Sequence, residues 1–196
     1  MSSAPSKPAQ FFLHLIVPVI CGLVLGFLFF GTEVFDIHSD KCQFLAVPLI
    51  ASAFYFLLAF GDSRNAFAGL IVLYFINSLL TGSTTAIFIV RDVLYLVGLA
   101  VAVYGYSTYF HRSAHGNYLY TAVTMSGLCA LTQIIASIIQ LGIVRAAGFT
   151  SPITTVVSLA SYSAFHGTMY GFAIGSGITI SDKIFGAIEP QTNQKS

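Results

Sequence analysis

Long apolar stretches alternate with short polar gaps along the 196 residues, and the gaps collect most of the eight Lys/Arg and seven Asp/Glu side chains. The stretches run from Phe11 to about Phe30, Phe44 to Phe60, Ala66 to Leu80, Ala86 to Phe110, Tyr118 to Val144, and Ile153 to about Ile180. A helix needs about 20 apolar residues to cross ~30 Å of hydrocarbon at ~1.5 Å per residue. The pattern therefore predicts six transmembrane helices. A β-barrel also satisfies its backbone in lipid, but it would show alternating segments of about ten residues, and none occur. The expected fold is all-α: a polytopic bundle of about six helices with short loops.

The boundary between the third and fourth stretches has two solutions. Either Thr81-Gly82-Ser83-Thr84-Thr85 is the turn and Arg91-Asp92 lies a turn or two inside the helix, or Arg91-Asp92 is itself the turn. The first is preferred, because a two-residue link between antiparallel helices is at the short limit, and a paired charge near the interface is tolerable. The expected organisation is a short cytoplasmic tail over 1–10, one transmembrane domain over 11–187, and a short polar tail over 188–196. Lys7 ahead of an apolar run resembles a signal peptide, but this run continues for about 20 residues into Phe29-Phe30-Gly31-Thr32-Glu33, so it reads as a retained span.

Basic loop residues are retained on the cytoplasmic side. Placing the N-terminus there puts Lys7, Arg64, Arg112, Lys183 and Lys195 inside, and Lys41, Arg91 and Arg145 outside. Both termini are then cytoplasmic, and the acidic first loop (Glu33, Asp36, Asp40) is external.

Composition agrees with lipid as the solvent: 56% of residues are hydrophobic, 8% are charged, and the mean hydropathy is +0.85. A net charge of +1 gives no reason to expect nucleic acid as a partner. Cys21, Cys42 and Cys129 form no C-x-x-C pair and read as small core residues. No repeat of 20–50 residues is visible.

Polar residues inside the spans carry the remaining signal, because each must find a partner, line a cavity or touch a ligand. In the sixth stretch Ser158, Tyr162, His166 and Tyr170 recur every four residues and share one helical face, with Thr155 at its outer end. Gly167, Gly171 and Gly175 form a smooth strip beside that face, and Gly22 with Gly26 a shorter one in the first stretch. Such strips let backbones approach closely, which predicts packing of the first helix on the sixth, or of two copies. In the fifth stretch Ser126, Gln133 and Gln140 recur every seven residues, with Ser137 nearby; Asn77 and Thr132 are further members of a polar seam. The spans place no carboxylate at a helix centre, which weighs against a carboxylate-driven pump.

Catalysis and cofactors find little support. His111 and His115 share a helical face in the Tyr-rich segment 104–120, yet no neighbouring Cys, Asp or Glu completes a metal site. For haem, His14 lies near the cytoplasmic end of its helix while His166 is about 14 residues from that end of its own, an offset of about 15 Å, so the two cannot share an iron; His14 with His115 is the alternative pairing. Ser126-Gly127 with His166 resembles the Ser–His dyad of rhomboid-type proteases, but Thr124-Met125-Ser126-Gly127 stands where that family has Gly-x-Ser-Gly, and the two helices are consecutive. Size and helix number also resemble small substrate-capturing subunits of vitamin transporters, with no motif to carry the likeness.

The residues thus point to a non-enzymatic protein without metal or cofactor. It is expected to bind or translocate a small neutral or amphipathic solute through a polar seam between helices five and six, lined by Ser158, Tyr162, His166, Tyr170, Gln133 and Gln140. The rival reading is an accessory or assembly subunit held in a larger membrane complex or a homo-oligomer through its glycine strips. A haem-binding redox subunit and an intramembrane hydrolase rank below both.

Overall fold

A computed structural model describes residues 7–35, 43–60, 66, 68–72, 86–110, 117–148 and 156–186. Helix α1 spans Lys7–Phe30 and passes into a 3₁₀ turn, Gly31–Phe35; α2 spans Gln43–Phe60; residue 66 and residues 68–72 are helical and are called α3. Helix α4 spans Ala86–Gly105 and widens into a π-helical turn, Tyr106–Phe110; α5 spans Tyr118–Ala146 and α6 Val156–Phe185. Among the described residues there is no strand, and the protein is an all-α membrane-embedded bundle that accommodates six spans.

Helices α1, α4 and α5 are long and apolar enough to cross a membrane, and Gln43–Leu58 is a shorter apolar helix. Their outward faces are apolar, as lipid requires: Ile20, Val24, Phe27 and Leu28 on α1, Val93, Val97 and Val101 on α4, and Leu131, Ile135 and Ile138 on α5 are exposed. Helix α6 is long enough but more polar, and its surroundings explain why that is tolerated. It packs against α5 along its length and against α1 and α2 on other sides, so Ser163, Ser176, Thr179 and Ser181 are buried in protein and not in lipid.

Several boundaries differ from the sequence pattern. Helix α1 begins at Lys7 and not at Phe11, so residues 7–10 belong to the helix and not to the tail. Arg91 and Asp92, by contrast, lie inside α4 as the preferred reading of that boundary has it, and Arg91 Nε donates to Asp92 Oδ1 at 2.9 Å. Helix α6 continues past Ile180 to Phe185, which brings Asp182 into the helix. The helix ends at Gly186, whose φ of +87° an L side chain would resist and whose N–H closes on the Asp182 carbonyl at 3.0 Å. The 81–85 turn, most of the third stretch, Asn77, Lys41, Cys42, Arg64, His111, Arg112, His115, Thr155 and Lys195 lie outside the described residues.

The glycine strips choose other neighbours than the pattern suggested. A Cβ on Gly167 would come within 2.7 Å of the Ala130 Cα, one on Gly171 within 2.6 Å of the Ser126 Cα, and one on Gly175 within 2.9 Å of the Ala122 Cα. The strip of α6 therefore lies on the α5 backbone and not on α1. Gly22 and Gly26 face α2: a Cβ would meet Pro48 Cγ at 2.6 Å in the first case and the Phe44 Cβ at 2.8 Å in the second. Contact between α1 and α6 is made instead by Gly177, where a Cβ would run into the ring and backbone of Pro18.

Both of these prolines are mid-helical. Pro48 has no N–H for the carbonyl of Phe44 four residues back, and that carbonyl abuts Gly22, whose Cα–H can compensate in part for the lost bond. The buried apolar core is built by Phe44, Phe54 and Tyr55 of α2, Val103 and Tyr106 of the α4 segment, Met125 of α5 and Ile174 of α6.

Candidate functional site

The polar residues of α6 divide among three neighbourhoods. The first is the expected face. Its members grade from exposed Ser158 and Tyr162 (46% exposed), through half-buried His166, to buried Tyr170 (5%). The face is turned toward the C-terminal end of α1 and the N-terminal end of α2. His166 is set among aromatic rings: Phe30 of α1 stacks at 6.3 Å with an interplanar angle of 17°, Phe44 of α2 lies at 6.1 Å, and Tyr162, Phe165 and Tyr170 of its own helix lie at 4.0, 5.4 and 6.1 Å. Its Nδ1 is 3.0 Å from the Tyr162 carbonyl; a carbonyl only accepts, so Nδ1 carries hydrogen. Beneath it the Tyr170 hydroxyl donates to Gln43 Oε1 at 3.1 Å, a contact across 127 residues.

The second neighbourhood holds the α5 residues, and it does not meet the first. Gln133 is buried and donates to the Tyr95 carbonyl of α4 at 3.3 Å. The Tyr95 hydroxyl is 3.0 Å from Ser137, and Ser137 hydrogen-bonds Ser163 of α6, so three helices are joined by neutral hydroxyl and amide groups. Gln140 is half-buried two turns further along α5. Thr132 turns its hydroxyl back to its own helix, onto the Leu128 and Cys129 carbonyls. Between the two neighbourhoods runs the Gly167/Gly171/Gly175 strip, in direct contact with α5. The expected seam between helices five and six is therefore replaced by two separate clusters on different sides of α6. Ser126 is buried, and its hydroxyl makes no hydrogen bond to His166 or to any other described residue.

The third neighbourhood was missed in the sequence. His14 of α1, 5% exposed, places Nε2 3.3 Å from Asp182 Oδ1 of α6, across 168 residues. The ring of Phe185 lies 6.2 Å from the imidazole, tilted by 54°. Elsewhere in the core the buried rings of Tyr55 and Tyr106 lie 6.3 Å apart, tilted by 48°. Tyr106 belongs to the π-helical turn and donates to Thr121 of α5 at 3.3 Å. The one available signal was Asp182 itself, one helical turn before Gly186 and just beyond the apolar run.

Among the described residues no three His, Cys, Asp or Glu side chains converge as a metal site. Cys21 and Cys129 are free thiols. No protein-family model, curated protein or solved structure matches the chain.

Proposed function

We propose that the protein binds or passes a small neutral or amphipathic solute, without catalysing a reaction on it, at the junction of α1, α2 and α6. One observation carries this reading: half-buried His166 is the polar centre of an aromatic shell that opens to the surface at Tyr162 and Phe165. Phe30, Phe44 and Phe165 suit an apolar body, while Tyr162, His166 and the Tyr170–Gln43 pair suit a polar end. Direct backbone contact along the glycine strip leaves no passage between α5 and α6 at that level, which favours the opposite side of α6. The same reading keeps both termini cytoplasmic, so that the His166 end of the bundle faces the external leaflet.

Photolabelling tests it. The protein in lipid nanodiscs is exposed to a diazirine-bearing fatty alcohol, and the adducts are mapped by mass spectrometry. Labelling is expected to concentrate on Phe30, Tyr162 and Phe165 and to fall about tenfold in His166→Leu, a loss of about 1.4 kcal/mol. Labels spread evenly over the lipid face, on Val24, Phe27 and Leu28 as much as on Tyr162, would overturn it in favour of an assembly role.

A further inference from the structure

Helix α4 carries two opposite charges into its apolar span. With its π-helical turn the helix is longer than the about 20 residues a crossing needs, and the span itself is Val90–Phe110, so Arg91 and Asp92 stand in the first turn of that span, at the depth of lipid head groups. Arg91 Nε donates to Asp92 Oδ1 at 2.9 Å, and the two side chains are 22% and 15% exposed. Ionisable residues at such depth are costly, and as a rule they serve a function. Their bond joins neighbours on one helix, so it fastens no second helix, unlike Tyr95–Ser137 and Ser137–Ser163 deeper in the same crossing. We propose that Arg91 and Asp92 together bind the head group of an ethanolamine phospholipid, its phosphate on the guanidinium and its ammonium on the carboxylate.

Helical spacing places the pair at the mouth of the α4–α5 crossing. Arg91, Tyr95 and Gly98 follow one another at four and three residues and share a face. On that face Tyr95 meets Ser137, and a Cβ on Gly98 would stand 3.2 Å from the Thr132 carbonyl oxygen. Asp92 shares the adjoining face with buried Leu99 and Val103, while Val93, Val97 and Val101 look outward to lipid. The helices run antiparallel, so one turn back from Tyr95 on α4 is matched by one turn on from Ser137 on α5, which puts Gln140 at the level of Arg91. Gln140 is half-buried, whereas Gln133 and Ser137 below it are buried. The crossing is closed in depth by neutral hydrogen bonds and ends at the surface in a charged, half-exposed mouth.

Charge complementarity selects the occupant. Arg91 and Asp92 cancel, so the mouth presents a dipole and not a net charge. An anionic lipid would bring a phosphate to Arg91 and leave Asp92 facing a like charge. A choline head group brings a cation, but one with no N–H to give the carboxylate. Ethanolamine supplies both halves: phosphate oxygens accept from the planar guanidinium fork, and the ammonium donates to the carboxylate. A guanidinium carries five N–H donors and a carboxylate about four acceptor sites, so their mutual bond takes up only a fraction of either and survives when the head group docks. This site lies on the α4 side of the bundle, apart from the aromatic junction at His166, and does not depend on it.

The test is native mass spectrometry of the full chain, released from micelles that hold equal amounts of dioleoyl phosphatidylethanolamine, phosphatidylcholine and phosphatidylglycerol. Phosphatidylethanolamine is expected to bind about tenfold tighter than either competitor, the worth of one charge-assisted hydrogen bond. Arg91→Gln and Asp92→Asn should each abolish that preference. Exchange of the charges, Arg91→Asp with Asp92→Arg, should keep it, because the same dipole is rebuilt at the same mouth. Equal retention of the three lipids by the parent would overturn the proposal and leave a solvated ion pair, and stronger retention of phosphatidylglycerol would overturn it in favour of a plain cationic site. A preference that survives both single variants would place its source elsewhere and sink the assignment. Displacement of the lipid by soluble O-phosphoethanolamine would overturn the lipid as occupant in favour of a soluble zwitterion. The parent's ranking of the three lipids is decisive against the proposal even where a variant does not fold.

Discussion

Sixteen residues, or about 24 Å of helix rise, separate His166 from Asp182 on α6, and the two ends of this helix are built on opposite plans. At the His166 end the imidazole is half-open, bonded to the Tyr162 carbonyl of its own helix and set among aromatic rings. At the Asp182 end a buried imidazole on α1 is tied to a carboxylate on α6, next to a glycine pressed on a proline. One end has exposed aromatic surface to offer; the other has interhelical contact. The difference teaches that polarity along one membrane helix divides by neighbour and not by sequence spacing, and it separates residues whose loss should cost stability from those whose loss should cost binding.

The largest expected effect is at the closed end. Gly177→Leu would drive a branched side chain into Pro18 and part α1 from α6, destabilising the fold by about 3 kcal/mol in an unfolding titration in mixed micelles. Gly127→Leu is its control, since a Cβ there meets nothing within 4 Å, and it should stay within about 0.5 kcal/mol of the parent. Equal losses in the two would break the comparison by removing close contact as its cause. Asp182→Ala should follow at about 3 kcal/mol or somewhat less, the low part of the range for halving a buried pair, because the carboxylate keeps partial exposure. At the open end His166→Phe keeps the aromatic stack and loses one bond within its own helix, so less than about 1.5 kcal/mol is expected. A larger loss at His166 than at Asp182 would reverse the assignment of the two ends.

Legibility in the sequence follows the same division. The bundle was readable because apolar run length and charge-bearing gaps are local properties, and five of the six stretches coincide with helices to within a few residues. The four-residue recurrence of Ser158, Tyr162, His166 and Tyr170 is local as well, and on the helix the four lie along one face. What spacing cannot encode is which neighbour a face meets. Gly167 follows His166 by a single residue, yet that rotation of about 100° separates the aromatic junction with α1 and α2 from the backbone of α5. For that reason Gln133 and His166, both rightly singled out as polar, were wrongly joined in one seam. The His14–Asp182 pair was hidden further, by 168 residues of separation and by a helix end that runs five residues past its apolar stretch.

The sharpest comparison uses the neutral crossing as a ruler. Ser137 and Ser163 are buried, opposed across α5 and α6, and bonded through hydroxyls alone. A double-mutant cycle of Ser137→Ala with Ser163→Ala should give a coupling of about 0.6 kcal/mol, the ordinary worth of a hydrogen bond between membrane helices. The matching cycle of His14→Phe with Asp182→Asn should give about twice that, since a bond to a carboxylate is charge-assisted and roughly twice as strong as one between neutral groups. Measuring both cycles thus separates a charge-assisted tie from plain helix glue: a His14–Asp182 coupling that equals the serine value would mean that the two ends of α6 differ in burial alone.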